Sequence, residues 1–210
     1  MKVLDFPQGS AEWLASRAGR VTASRISDVL AKVKTGEAAA RRDYRAQIVA
    51  EILTGKPQDE GYVNDAMKHG TENEPFARSA YEVSRGILVD QVGLVLHPEI
   101  DRAAASPDGL ADKDGLLEIK CPKTATHLEY LLAGEVPSKY RPQMLWQMAC
   151  TGRAWCDFVS FDPRLPQDLQ LFVVRLQRDD KAIQEMEKEV RKFLEEVDAV
   201  IDQLKSRKAA

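Results

Sequence analysis

The hydrophobic period of this chain changes at Gly86, and the change limits the folds open to it. Before that point apolar residues recur at helical spacing. After it come short apolar runs bounded by Gly, Pro and Asp: "GILVDQVGLVLHP", "RAAAS" and "LLEIKC". Runs of this kind read as strands. Helical patterns lie on both sides. "SAEWLASRAG" reads as a short helix with Ser10 as N-cap and Gly19 near its end. "TASRISDVLAKV" reads as a second, capped by Thr22 or Ser24, with Ile26, Val29 and Leu30 on one face. A third runs from Ala39 to Leu53 and stops at Gly55. Residues 64–84 are helical in pattern, with Phe76, Ala80 and Val83 as the apolar stripe, and Pro75 predicts a kink or a fresh first turn.

Beyond the strand cluster, Thr124–Ala133 and Ser138–Thr151 read as helices. "AWCDFVSFD" and "LQLFVVRLQ" read as a hairpin around "PRLPQD". The last element, Asp179–Ser206, is a long amphipathic helix with Ile183, Met186, Val190, Phe193, Leu194, Val197 and Ile201 inward. This order predicts a mixed sheet flanked by helices, α/β or α+β in class. A length of 210 residues suits one domain, 1–210.

Composition narrows the function classes. No apolar run is long enough to span a membrane, and the N-terminus has no secretory h-region, so a cytoplasmic protein is expected. Cys121, Cys150 and Cys156 form no CxxC pair and no zinc spacing, and read as reduced and buried. A net charge of −3 argues against a uniformly basic surface, yet a locally basic groove can coexist with an acidic exterior. Arg17, Arg20, Arg25, Lys32, Lys34, Arg41, Arg42 and Arg45 concentrate in the N-terminal third and read, on composition, as a solvated face of two helices.

The chemistry concentrates in "SPDGLADKDGLLEIKCP", residues 106–122. Strand side chains alternate faces, so Glu118 and Lys120 share one face while Leu117, Ile119 and Cys121 share the other. A hairpin through "GLADKDG" returns Asp108 beside Glu118. Two adjacent carboxylates are costly without a cation between them. Oxygen donors with no His or Cys nearby suit Mg²⁺ or Mn²⁺, with the Ile119 main-chain carbonyl as a further ligand. Lys120 would stand beside the reacting water or phosphate. The competing structural explanation is a surface hairpin with a Glu–Lys cross-pair. Glu74 and Arg78 are one helical turn apart, and the residues alone read as an ordinary ion pair.

"SPDG…LEIKCP" resembles the PD-(D/E)xK nuclease motif, and the wider chain resembles the lambda-type alkaline exonucleases, or YqaJ-like viral recombinases. The resemblance is carried by "EWLASRAGRVTAS", "HGTENEPFAR", "AAASPDGL", "GLLEIKCP", "PQMLWQMACTGRAW" and "FVSFDPR". It implies a restriction-endonuclease-like core built on a central mixed, twisted β-sheet. It implies a two-Mg²⁺ exonuclease that digests one strand of duplex DNA 5′→3′, with Mn²⁺ as a substitute. A homotrimeric ring around the DNA, a Red-beta-like single-strand annealing partner and a phage or prophage origin in a bacterial host are also implied.

The resemblance puts the metal on Asp108, Glu118 and the Ile119 carbonyl, with Lys120 catalytic. It turns Glu74 into a helix-borne acid for the second metal or its water, and Gln143 into the glutamine facing the active site. Arg17, Ser24 and Ser106 match a 5′-phosphate pocket, Lys34 a duplex contact, and Met67 a wedge at the terminal base pair. The family's second glutamine, two residues after Gln143, is Leu145 here. Two other readings compete: an endonuclease of the same fold acting at internal sites or junctions, and a non-catalytic DNA-binding module with structural acids.

Overall fold

The computed structural model describes residues 1–58 and 65–207, with the side chains of 65–67 left out of that description. In chain order the elements are β1 (Lys2–Leu4), α1 (Ala11–Arg17), β2 (Val21–Thr22), α2 (Ile26–Val29), α3 (Ala39–Thr54), α4 (Asp65–Arg85), β3 (Val89–Asp90), β4 (Leu94–Leu96) and β5 (Ala103–Ala105). Then come β6 (Gly109–Ala111), β7 (Gly115–Lys120), α5 (Thr124–Ala133), α6 (Arg141–Thr151), β8 (Trp155–Phe161), β9 (Leu171–Gln177) and α7 (Asp180–Arg207). The α/β expectation holds, with the strands divided between two mixed sheets, ordered β1-β4-β5-β2 and β3-β6-β7-β8-β9. No helix of the described residues is long and apolar enough to cross a membrane.

The larger sheet positions the chemistry. β7 pairs antiparallel with β6 and parallel with β8, and β8–β9 is the expected antiparallel hairpin. As a central strand, β7 is covered on both faces. Leu116 joins the main core, with Phe158, Cys156 and the α6 residues Met144–Cys150. Leu117, Ile119 and Cys121 join a second core with Ala77 and Tyr81 of α4. Helix α6 therefore lies against the β7 face that bears Glu118, and α4 against the other. The inward residues expected of the last helix, Ile183 through Ile201, are all buried in α7. The three cysteines are free and buried, as the sequence suggested.

Three expectations change. The helix predicted from Thr22 to Val33 is shorter: Thr22, with Val21, is drawn into a parallel pairing with β5, Ala23–Arg25 form a 3-10 turn, and α2 ends at Val29. The Val21 N–H donates to the Arg102 carbonyl at 2.7 Å and the Thr22 N–H to the Tyr44 hydroxyl at 3.2 Å, so tertiary bonds override local periodicity. Thr22 supplies no side-chain cap. Among the described residues of α4, Ala77 and Tyr81 are buried, while Phe76 and Val83 of the expected stripe are 65% and 86% exposed. The reason is polar: Tyr81 turns inward to donate its hydroxyl to buried Asp157 at 2.9 Å, and that contact sets the rotation of the helix. The same helix continues unbroken through Pro75, so no fresh first turn forms there. Finally, Arg41 is buried rather than solvated, donating to the Val29 carbonyl and to Glu196. Arg45 pairs with Glu37 and Glu196.

Candidate active site

A cleft of about 380 Å³ opens at the C-terminal end of β7, where the two faces of the strand meet. Gly70, Thr71 and Glu74 of α4 line it, with Asp108, Ile119, Lys120, Cys121, Pro122 and Tyr140. Strand alternation sends Glu118 from β7 toward α6, where it is 0% exposed. An ionised carboxylate in such a place costs several kcal/mol unless its oxygens are bonded. Both are. Gln143 Nε2 donates to Oε1 at 2.7 Å and Gln147 Nε2 to Oε2 at 2.6 Å. Lys120 Nζ forms an ion pair with Oε1. The two glutamines are one turn apart on α6 and so reach the same carboxylate.

Asp108 immediately precedes β6 and ties the hairpin together. Its N–H donates to the Leu117 carbonyl at 3.2 Å, and its Oδ2 accepts from the Ile119 N–H at 2.6 Å. Burial, then repulsion from Glu118, pushes its carboxyl up to about 8 against the pull of Lys120, with Glu74 adding to the repulsion. For Lys120, burial opposes the charge, but Glu118 and Asp108 outweigh it and hold the ammonium above its ordinary range. Glu74 accepts from Arg78 Nη2 at 2.6 Å, and that guanidinium also reaches the Asp108 carbonyl at 3.4 Å. Glu74 is thus the ion-pair partner read from spacing, and it also lines the cleft.

The donor set fits a hard divalent cation. Among the described residues no three His, Cys, Asp or Glu side chains converge on one point. Asp108, Glu74 and Ile119 line the cleft, while the Glu118 carboxylate next to them in the strand is fully buried against α6. Burial is the main cause of the upward shift of Asp108, and the neighbouring carboxylates Glu118 and Glu74 add to it.

A second hollow lies beside α1, lined by Trp13, Arg17, Arg20, Thr22, Arg25 and Tyr44 among others. Arg17 lies 4.1 Å over the Trp13 ring and donates to Ser24 Oγ at 3.3 Å. Trp13 Nε1 donates to Ser106 Oγ at 2.9 Å. The structure therefore brings Arg17, Ser24 and Ser106 together, with Trp13 as the link. Ser10 caps α1 as expected, its hydroxyl accepting from the Trp13 N–H at 3.1 Å.

Sequence reasoning missed Gln147, Trp13 and Tyr140. The first two left a signal at i,i+4, Gln147 with Gln143 and Trp13 with Arg17. Tyr140 left none, because its place at the cleft depends on where α6 begins. Leu145, by contrast, is buried in the core, and the second glutamine contact to Glu118 comes from one turn along instead. Lys34 is exposed in the connection between α2 and α3, outside the residues that line the cleft. The side chain of Met67 lies outside the described residues.

The model of the YqaJ-like viral recombinase domain matches residues 12–154. An alkaline exonuclease from Laribacter hongkongensis, LHK-Exo, is 48% identical, with 95% of this chain and 98% of that chain covered and a TM-score of 0.87. The same enzyme in complex with dAMP is 49% identical over the same shares, with a TM-score of 0.89. A phage-related exonuclease from Haemophilus somnus is 18% identical, covers 88% of this chain and 96% of its own, and has a TM-score of 0.69, a likeness of fold. An uncharacterized protein of Acanthamoeba polyphaga mimivirus is 29% identical over 76% of this chain, and the chain spans 30% of its length.

Proposed function

The chain belongs to the YqaJ-like viral recombinase family, and from this premise we propose that it is a nuclease acting on DNA. The finer reading is a Mg²⁺-dependent exonuclease that hydrolyses one strand of a duplex from its 5′ end and leaves a 3′ single strand. The observation that carries it is Glu118, a fully buried carboxylate fixed by Gln143, Gln147 and Lys120 beside an Asp108 held in reach by the β6–β7 hairpin. A purely structural acid has no need of a second acid beside it at the wall of a cleft. The L. hongkongensis enzyme has been solved with dAMP, a deoxynucleoside monophosphate, which is the kind of product end-directed hydrolysis releases.

Asp108, Glu118 and the Ile119 carbonyl would hold the cation, with Glu74 serving a second one or its water. A divalent cation bound there supplies an activated water and charge neutralisation on the phosphate. The protein does the rest. Gln143 and Gln147 occupy one oxygen each of Glu118, so the carboxylate cannot rotate away. Lys120 keeps its proton on Nζ and presents a donor to a phosphate oxygen, stabilising charge as it develops. Arg17 grips a terminal 5′-phosphate, and Ser24 and Ser106 add short hydroxyl donors. A homotrimeric ring, with a single-strand annealing protein as partner, completes the proposal.

The test is digestion of end-labelled linear duplex with Mg²⁺, comparing 5′-phosphate with 5′-hydroxyl ends, beside a covalently closed circle. Release of mononucleotides from 5′-phosphorylated ends, with the circle intact, is the expected result. Sustained cutting of the closed circle overturns the end-directed reading in favour of an endonuclease. A native mass measurement checks the trimer.

A further inference from the structure

Three cations near the cleft have an acid. Lys120 pairs with Glu118, Arg78 with Glu74 and Arg164 with Asp162. Lys139 differs. It is exposed, it immediately precedes Tyr140, and it has no carboxylate partner among the described residues. Its Nζ lies 4.8 Å from the Tyr140 ring centroid and 5.7 Å from that of Tyr130. Tyr140 is itself a wall of the cleft and lies 5.4 Å from Lys120 Nζ.

One ring thus serves two ammonium groups, one inside the cleft and one outside. Cation–π attraction holds each near the ring, but the two repel each other, and only the inner one has an anion beside it. The ring itself is held firmly: Tyr140 stacks on Phe158 at 5.3 Å and meets Tyr130 edge-on at 6.5 Å. The outer ammonium is therefore positioned by a rigid aromatic platform, charged, solvent-facing and without an acid.

We propose that Lys139, seated on Tyr140, is a DNA-backbone contact that takes a phosphate of the strand next to the one in the cleft. The group recognised is a phosphodiester oxygen, not a base, so the contact is indifferent to sequence. Lys139 lies outside the acids and the lysine that act on the scissile phosphate. Its role is to hold the strand in line as that phosphate is cut. This inference rests on the nuclease reading above.

The experiment measures kcat/KM on 5′-phosphorylated duplex between 50 and 200 mM NaCl for wild type, Lys139→Met and Lys139→Arg. Methionine keeps the apolar stem on the ring and removes the charge; arginine keeps the charge. Each phosphate neutralised contributes about 0.9 to the slope of log affinity against log salt, or a factor of about 3.5 over this range. Lys139→Met should flatten the slope by about 0.9. Its deficit against wild type should be about 3.5-fold larger at 50 mM than at 200 mM. Lys139→Arg should restore the wild-type slope. A Lys139→Met slope equal to wild type, or a deficit independent of salt, overturns the proposal. If wild type itself degrades no DNA, the nuclease reading fails first and separately. Should Lys139→Met not fold, Lys139→Gln gives the same slope comparison.

Discussion

Replacing Gln147 with leucine tests whether Glu118 is held as an anion. The glutamine is fully buried and donates to Glu118 Oε2 at 2.6 Å. Leucine has a similar size, so little cavity forms, and the main loss is one bond to a charged acceptor. Such bonds contribute about 1.5–3 kcal/mol, and the abandoned oxygen stays buried. Gln147 Oε1 also accepts weakly from Cys156 Sγ at 3.8 Å, a minor addition. We expect Gln147→Leu to lower stability by about 2–3 kcal/mol. At roughly 2–4 °C per kcal/mol for a chain of this size, Tm should fall by about 4–12 °C. Denaturant unfolding of the metal-free protein gives the free energy directly. The decisive arm is a double-mutant cycle with Glu118→Gln. With a neutral residue at 118 the bond becomes an ordinary one of about 1 kcal/mol, so the cost of Gln147→Leu should shrink by half or more. A cost below about 0.5 kcal/mol, or one unchanged in the Glu118→Gln background, would refute an ionised Glu118 gripped by α6.

Other tests address the remaining parts of the site. Arg17→Ala should slow digestion selectively on 5′-phosphorylated ends, measured against the same duplex with 5′-hydroxyl ends; an equal loss on both argues against a phosphate pocket. Asp108 should govern part of the pH dependence of stability. Its folded pKa of about 8 lies above its unfolded value, so the native state holds the proton more tightly, and stability falls as pH rises from about 4 through 8. In metal-free thermal melts Asp108→Asn should flatten that decline, and an unchanged pH profile would count against it. Gly115 lies directly under Trp155, where a Cβ would run into the indole ring. That ring is pinned by the Arg175 guanidinium 3.4 Å from its centroid, so Gly115→Ala should cost about 1–3 kcal/mol in chemical denaturation.

Much of the site was legible because its logic is local. Alternation along residues 115–120 is a property of any strand, so Glu118 and Lys120 had to share a face. The short "GLADKDG" connection left Asp108 nowhere to go but beside them, and the observed register pairs Gly109 with Leu117. Helix α7 was equally readable, since its apolar residues recur at the helical period for 28 residues. Helix α5 was found with its observed bounds for the same reason.

Tertiary structure decided what depended on partners far along the chain. Thr22 opens a helix-like pattern, but Val21 and Thr22 are taken by Arg102 and Ala104, about eighty residues away. Helix α4 is amphipathic in either rotation, and Tyr81 chose between them by reaching Asp157, 76 residues on. The second donor to Glu118 is Gln147 rather than a residue at 145, because α6 presents every fourth side chain to β7 and buries the one between. Local spacing determines which residues share a face. Which face becomes the inside is set by long-range hydrogen bonds and burial, and no window of neighbouring residues contains them.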